Sequence, residues 1–191
     1  MSLNRWNIDL SWSLFLDRDG VINHRLPGDY VKSLEEFSFI QGVPEAIAIF
    51  SKMFSKVIVV TNQQGVAKGL MSAETLHRIH QFMVSEIEKT GGRIDLTLFA
   101  PHLESENNIM RKPNIGMALK AKRSFPDLRF RKSIMVGDSV GDMLFGKRVG
   151  MKTVLISNDS TLARNFHKIV DMQCSSLHEL AEQLIVNNFS H

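Results

Sequence analysis

The run Val57-Ile58-Val59-Val60 leaves this chain few folds to choose from. Four consecutive β-branched residues with no polar position among them cannot make a strand with one wet face. They read as a strand covered on both sides, the pattern of a parallel sheet packed between helices. Extended to Val57 to Thr61, this run is joined by four others of the same character: Leu14 to Asp17, Leu96 to Ala100, Ile134 to Gly137 and Thr153 to Ile156. Segments of helical period lie between them. One begins at Pro44, whose fixed φ suits a first helical turn, and lines up Ile47, Phe50 and Phe54. Another runs from Ser72 with Leu76, Ile79, Met83 and Ile87 on one face and stops at Gly91 and Gly92. A third follows Asn114 and displays Met117, Ala121 and Phe125, and a fourth opens near Ser139. Ser176 with Glu179 three residues on forms a capping box ahead of a last helix, residues 176–187. This alternation predicts an α/β fold: a doubly wound, Rossmann-like, mainly parallel sheet with helices on both faces and no separate cap domain.

Composition narrows the class further. The 191 residues, 43% hydrophobic and 23% charged, suit one globular domain over 1–191, with a core at 13–157 and no repeat or linker. The single cysteine, Cys174, excludes an intramolecular disulfide, a redox CxxC pair and a thiolate-rich zinc site. Met1 to Asp9 lacks the basic-then-apolar layout of a signal peptide, and no apolar run approaches the ~18 residues of a membrane span. A cytoplasmic protein without a membrane partner is expected, as a monomer or weak homodimer. Lys and Arg exceed Asp and Glu by 23 to 20, a surplus too small to imply a polyanion. The basic stretch from Lys120 to Lys132, interrupted by Asp127 and without aromatics interleaved at a groove, reads as solvated surface, so nucleic acid is not an expected partner. His77 and His80, three apart on one helix, read as a solvated face, and residues 1–12 carry no assigned function.

In doubly wound sheets the site lies beyond the carboxyl ends of the strands. The first strand ends in Asp17-Arg18-Asp19-Gly20, the second in Thr61-Asn62-Gln63-Gln64-Gly65, and the fourth in Gly137-Asp138-Ser139 with Asp142 a turn later. Arg111-Lys112-Pro113 precedes the third helix. Singly, each has an ordinary explanation as a turn, a cap or a solvated charge. Jointly they put several carboxylates, a threonine hydroxyl and a lysine at one edge, where like charges repel unless a cation sits among them. Hard oxygens with incomplete protein coordination suit Mg²⁺, which takes the rest of its shell from water and a substrate phosphate. The segment from Arg18 to Ile40, rich in Gly and Pro and without period, is long enough to be a functional loop.

The set LFLDRDGVIN, VVTNQQGVAKG, RKP and MVGDSVGDM resembles the four motifs of the haloacid-dehalogenase superfamily of phosphohydrolases. More narrowly it resembles the branch containing heptose 1,7-bisphosphate phosphatases and histidinol-phosphate phosphatases. The resemblance implies a Mg²⁺-dependent phosphomonoesterase in which Asp17 is the nucleophile and forms an aspartyl-phosphate, while Asp19 is the general acid and base. It implies Mg²⁺ ligation by the Asp17 side chain, the Asp19 carbonyl and Asp138, and phosphoryl binding by Thr61, the Asn62 backbone and Lys112. Asp142 is expected to orient Lys112 or a metal-bound water, with Arg111 and Lys68 gripping the rest of an anionic substrate. Lys68 stands where the branch commonly has Arg, so a fork is replaced by a point charge.

A second departure is sharper. Where the branch carries Cys-x-His and Cys-x-Cys around a structural zinc, this chain has Ala100, His102, Asn108 and Met110, so no structural zinc is expected. The implied substrate is a small phosphorylated metabolite, foremost a heptose bisphosphate. Alternatives are histidinol phosphate, a nucleic-acid 3′-end phosphate, and a degenerate phosphate-binding or scaffold module without activity.

Overall fold

The computed structural model describes residues 6–189, with side chains described as far as residue 186, so the termini of the expected 1–191 domain lie outside the described residues. Its centre is a six-stranded parallel sheet of order β3-β2-β1-β4-β5-β6, formed by β1 (Ser13–Leu16), β2 (Lys56–Asn62), β3 (Leu96–Ala100), β4 (Ser133–Gly137), β5 (Lys152–Ile156) and β6 (Met172–Cys174). Along each inner strand successive side chains enter different cores, because the pleat alternates faces. Leu14, Leu16, Val57 and Val59 join Ile134 and Val136 on one face, while Phe15, Ile58, Val60 and Met135 fill the other. Both faces are dry, which is why Val57 to Val60 shows no polar alternation.

Helices α1 (Val43–Met53), α2 (Ala73–Lys89) and α6 (Leu177–Phe189) cover the first face. The second is covered by α3 (Gly116–Ser124) and by Phe145 of α4 (Val140–Arg148). Pro44 sits in the first turn of α1 and the Ser72 side chain caps α2 by accepting from the Thr75 amide. The C-terminal cap differs in detail from the sequence pattern. Ser176 Oγ accepts from the Glu179 amide at 3.1 Å, but the Glu179 carboxylate bonds the amide and hydroxyl of Ser175, each at 2.6 Å, rather than the Ser176 amide. Placing that carboxylate's hydrogen bonds one residue upstream extends the cap without changing the helix.

Two short elements escaped the sequence pattern: β6, three residues at the sheet edge, and α5 (Ser160–Asn165), six residues capped by Asp159. Neither is long enough to show a period. Residues 6–12, to which no function was assigned, contribute Trp6 and Trp12 to the first core. The segment from Arg18 to Ile40 is folded back on itself, with His24 N bonded to Ser38 O at 2.9 Å and Ile40 N to Ile22 O at 3.0 Å. Val21, Ile22, Val31 and Phe37 anchor it in the core.

Chain order decides where a ligand can sit. The chain winds outward from β1 through β2 to β3 and then returns to place β4 against the other side of β1. The reversal opens a crevice at the carboxyl ends of β1 and β4.

Candidate active site

Asp17 follows β1 directly, and its amide bonds Val136 O at 2.9 Å, carrying the β1–β4 pairing one residue past the strand and fixing the carboxyl over the crevice. Its Oδ1 accepts from the Arg18 amide at 2.7 Å and faces Lys112 Nζ at 2.8 Å. Lys112 is 4% exposed, and its ammonium also meets Asp142 Oδ1 at 2.6 Å and Val60 O at 2.7 Å. All three of its N–H donors therefore have acceptors. Asn62 holds the lysine's backbone from the end of β2: its Nδ2 donates to Lys112 O at 3.0 Å and its Oδ1 accepts from Lys112 N at 2.9 Å. The Asn62 side chain thus faces Lys112. Asp142, in the first turn of α4, spends Oδ2 on the Ser139 amide and hydroxyl at 3.1 and 2.6 Å, leaving Oδ1 to the lysine.

Asp17, Asp138 and Asp142 each present an oxygen within 4.8 Å of one another. Such crowding is expensive. Burial pushes the Asp17 carboxyl up to about 7, with Asp142 and Asp138 adding to the rise and Lys112 opposing it. Burial, followed by Asp142, raises Asp138 to about 6 against the pull of Arg25 and Lys112. Burial alone would lower Lys112, but Asp142 and Asp17 outweigh it and hold the ammonium above its ordinary range.

Two glycines make this packing feasible. A Cβ at Gly20, whose φ is +84°, would lie 2.2 Å from Asp138 Oδ2, and a Cβ at Gly137 would lie 2.2 Å from that of Asp142. The donor set fits a small divalent cation: Asp138 Oδ1 is buried without a hydrogen-bond partner, and the oxygens are hard and anionic. Asp142 is the weaker ligand, since both of its oxygens already have donors.

Asp19 sits beside this cluster with its side chain 22% exposed. Its Oδ1 accepts from Arg18 Nη2 at 2.8 Å and Asn23 Nδ2 at 3.0 Å, and its Oδ2 from Arg18 Nη2 at 3.0 Å and Gln63 Nε2 at 2.6 Å. Burial raises the carboxyl, but the Arg18 charge and these hydrogen bonds prevail and hold it below the usual range. Gln63, fully buried, also donates to Thr61 Oγ1 at 2.9 Å, which leaves that hydroxyl's own proton free to point into the crevice.

A cavity of about 730 Å³ opens over Asp17, Asp19, Thr61 and Lys112, a size suited to a small metabolite. Arg25 and Arg111 stand on its wall, Arg25 with Nη1 3.2 Å from Asp138 Oδ2 and Arg111 with Nη1 3.4 Å from His102 O. Lys68 does not line it. Its ammonium lies 3.2 Å from Tyr30 Oη and 5.3 Å from the centre of that ring, so the phenol rather than the lysine forms the wall. His102 pairs with Glu106 at 3.3 Å, and the neighbouring loop is tied by Asn108 Oδ1 to the Met110 amide at 2.9 Å.

The reading of His77 and His80 as one solvated face is half wrong. His77 is exposed, but His80 is 5% exposed, packed against Phe99 and hydrogen-bonded to Arg18. Arg25, Gln63 and His80 were not singled out as site residues by the sequence. Gln63 and Arg25 stood beside the motifs; His80 carried no local signal, because only the packing of α2 over the motif loops brings it there.

A doubly wound sheet with paired aspartates at the switch point, a strand-end threonine and a buried lysine defines a hydrolase of the haloacid-dehalogenase-like class, a phosphatase. The chain matches the polynucleotide kinase 3 phosphatase family over residues 14–173 and belongs to that family. It is 35% identical over 170 residues to the D-glycero-alpha-D-manno-heptose-1,7-bisphosphate 7-phosphatase of Mycobacterium bovis, an alignment covering 89% of this chain and 90% of that one. To the D-glycero-beta-D-manno-heptose-1,7-bisphosphate 7-phosphatase of Vibrio cholerae it is 32% identical over 182 residues, covering 91% and 96%. The crystal structure of D,D-heptose 1,7-bisphosphate phosphatase from B. bronchiseptica, complexed with magnesium and phosphate, superposes with a TM-score of 0.79 at 30% identity, covering 92% of this chain and 98% of that one.

Proposed function

We propose that this protein removes the C7 phosphate of a heptose 1,7-bisphosphate through an aspartyl-phosphate formed on Asp17. Three observations support the reading: relatives so named across most of both chains, the buried Asp17–Lys112–Asp142 arrangement, and a cavity of metabolite size with two arginines on its wall. The first carries the substrate; the second carries the chemistry. Asp17 attacks phosphorus while Lys112 holds its Oδ1 in place, and the Thr61 hydroxyl donates to a phosphoryl oxygen where charge builds in the transition state. Asp19 gives its proton to the departing sugar oxygen and then takes one from the water that hydrolyses the acyl-phosphate. Asp19 is ionised at rest, so the incoming phosphate's own negative charge, by opposing that ionised form, equips it for the acid step. Arg111 and Arg25 offer charge to the second phosphate of the sugar.

Mg²⁺ is the cation proposed for Asp17, Asp138 and the Asp19 carbonyl, and when bound it neutralises phosphoryl charge and relieves carboxylate repulsion. A pH signature follows. Asp17 and Asp138 have folded values of about 7 and about 6 against an ordinary 3.8, so between those limits the metal-free folded state holds more protons than the unfolded chain. Metal-free stability contributed by these groups is therefore lost as pH rises across that window. Cation binding needs the ionised forms, so the melting temperature gained on adding Mg²⁺ is expected to be larger at pH 8 than at pH 5.5. An equal gain at both pH values would place the cation elsewhere.

The substrate is tested by phosphate release from the α and β anomers of heptose 1,7-bisphosphate, histidinol phosphate and a 3′-phosphorylated oligonucleotide, with Mg²⁺ present. One heptose anomer is expected to exceed the other two substrates in kcat/KM by at least about tenfold, the effect of a single well-placed charge contact. Preference for the oligonucleotide would move the reading toward the activity in the family's name.

A further inference from the structure

We propose that His80, on α2 and outside the four motifs, is a positioning residue for the acid/base carboxylate of Asp19, acting through the buried side chain of Arg18. The inference rests on the proposed phosphatase mechanism and adds to it a group that touches no substrate. Arg18 is fully buried and makes a fork on Asp19, with Nη2 2.8 and 3.0 Å from its two oxygens and Nε 3.2 Å from Oδ1. A guanidinium has five N–H donors and no acceptor, so its far side needs an acceptor when it is taken out of water. His80 Nε2, 3.2 Å from Arg18 Nη1, is that acceptor. The contact requires the imidazole to be neutral with its proton on Nδ1; burial, then the Arg18 charge, lower His80 to about 3, which agrees. Phe99 of β3, its ring centre 5.9 Å away, packs against the imidazole from the sheet side.

The geometry separates this support from that of the nucleophile. The Arg18 backbone is anchored independently, its carbonyl accepting from the amides of Val21, Ile22 and Asn23 at 3.3, 2.7 and 3.1 Å, and its own amide, together with Lys112, holds Asp17. Loss of the His80 contact frees the guanidinium to tilt, and Asp19 with it, before Asp17 moves. Small displacements of this kind are costly for proton transfer and mild for binding. Gln63 and Asn23 hold Asp19 from the other side, so the carboxylate is loosened rather than released.

The test exploits the leaving group. A sugar phosphate must be given a proton as its alkoxide departs, whereas p-nitrophenyl phosphate releases p-nitrophenolate, a stable anion that scarcely needs one. His80→Leu removes the acceptor, His80→Asn keeps a shorter amide that falls short of Arg18, and His80→Gln restores an oxygen at the reach of Nε2. Asp19 also serves hydrolysis of the aspartyl-phosphate, a step both substrates share, so the discriminating constant is kcat/KM, which covers only the steps up to leaving-group departure. Expected for His80→Leu and His80→Asn is a fall in kcat/KM of roughly 10- to 100-fold on the best sugar phosphate and only a few-fold fall on p-nitrophenyl phosphate. His80→Gln is expected to recover most of the loss. If His80→Leu does not fold, the Asn and Gln pair alone decides, since both keep a polar group and differ in reach. Equal losses in kcat/KM on both substrates, or no recovery with Gln, would reduce His80 to a packing residue and overturn the proposal while leaving the phosphatase reading intact. A wild-type protein inactive on both substrates would instead overturn that reading and this inference with it.

Discussion

Replacing Asp17 with asparagine is expected to reduce turnover by roughly 10⁴-fold or more while leaving the fold in place. The size follows from what is removed. Without a nucleophile there is no aspartyl-phosphate, and the remaining groups can only bind and polarise the phosphate. The fold is expected to survive because the amide oxygen can still accept from the Arg18 amide and from Lys112, the two donors on Oδ1 in the native protein. Removing one charge from a buried set of three carboxylates also lessens repulsion, so the metal-free variant at pH 8 is expected to melt no lower than wild type. Mg²⁺ is expected to raise its melting temperature less than it does for wild type, since one ligand loses its charge. Circular dichroism melts with and without Mg²⁺, beside steady-state phosphate release, check both halves. Activity near that of the wild type would exclude Asp17 as nucleophile.

The second large effect is on stability. Lys112→Met removes the ammonium between Asp17 and Asp142 and leaves two carboxylates buried without a counter-charge. Breaking a buried ion pair from one side costs about 3–5 kcal/mol, because the partner's desolvation is no longer offset. In a chain of this size that corresponds to a melting temperature lower by roughly 10 °C. The deficit has a sign in pH: Asp17, whose carboxyl burial already raises to about 7, can escape it by protonation, so it is expected to be largest at pH 8 and to shrink toward pH 5.5. Turnover is expected to fall as well, by about 10²- to 10³-fold, the cost of removing one preorganised charge from a developing transition state. A variant as stable as wild type at pH 8 would mean that the ammonium is not the group offsetting those carboxylates.

Sheet and helices were largely legible in the chain because each depends on a short-range pattern. Val57 to Val60 declares burial on two faces, Ser72 and Pro44 mark helix starts, and Leu76 to Ile87 shows the period of α2. What escaped was too short for a pattern, as with β6 and α5, or depended on which of two adjacent serines a carboxylate would reach, as with Glu179. The site divides in the same way. Asp17, Asp19, Thr61, Lys112, Asp138 and Asp142 could be read as a group because a parallel sheet brings strand ends to one edge whatever the details of packing.

The finer assignments could not be read in this way. Lys68 is next to a motif yet faces Tyr30, while Arg25, in the irregular loop, reaches Asp138. His80 has the surroundings of an exposed helical histidine in sequence and those of a buried acceptor in space. Sequence by itself determined which residues end the strands, and with them the aspartates and the threonine that the sheet gathers at one edge. Only the tertiary structure decided which oxygen each donor takes, that Asn62 grips the Lys112 backbone, and that α2 supplies the acceptor for Arg18. The reason is one of range: strand ends are set by backbone periodicity over a few residues, whereas a buried charge is matched by whatever group long-range packing brings within about 3 Å of it.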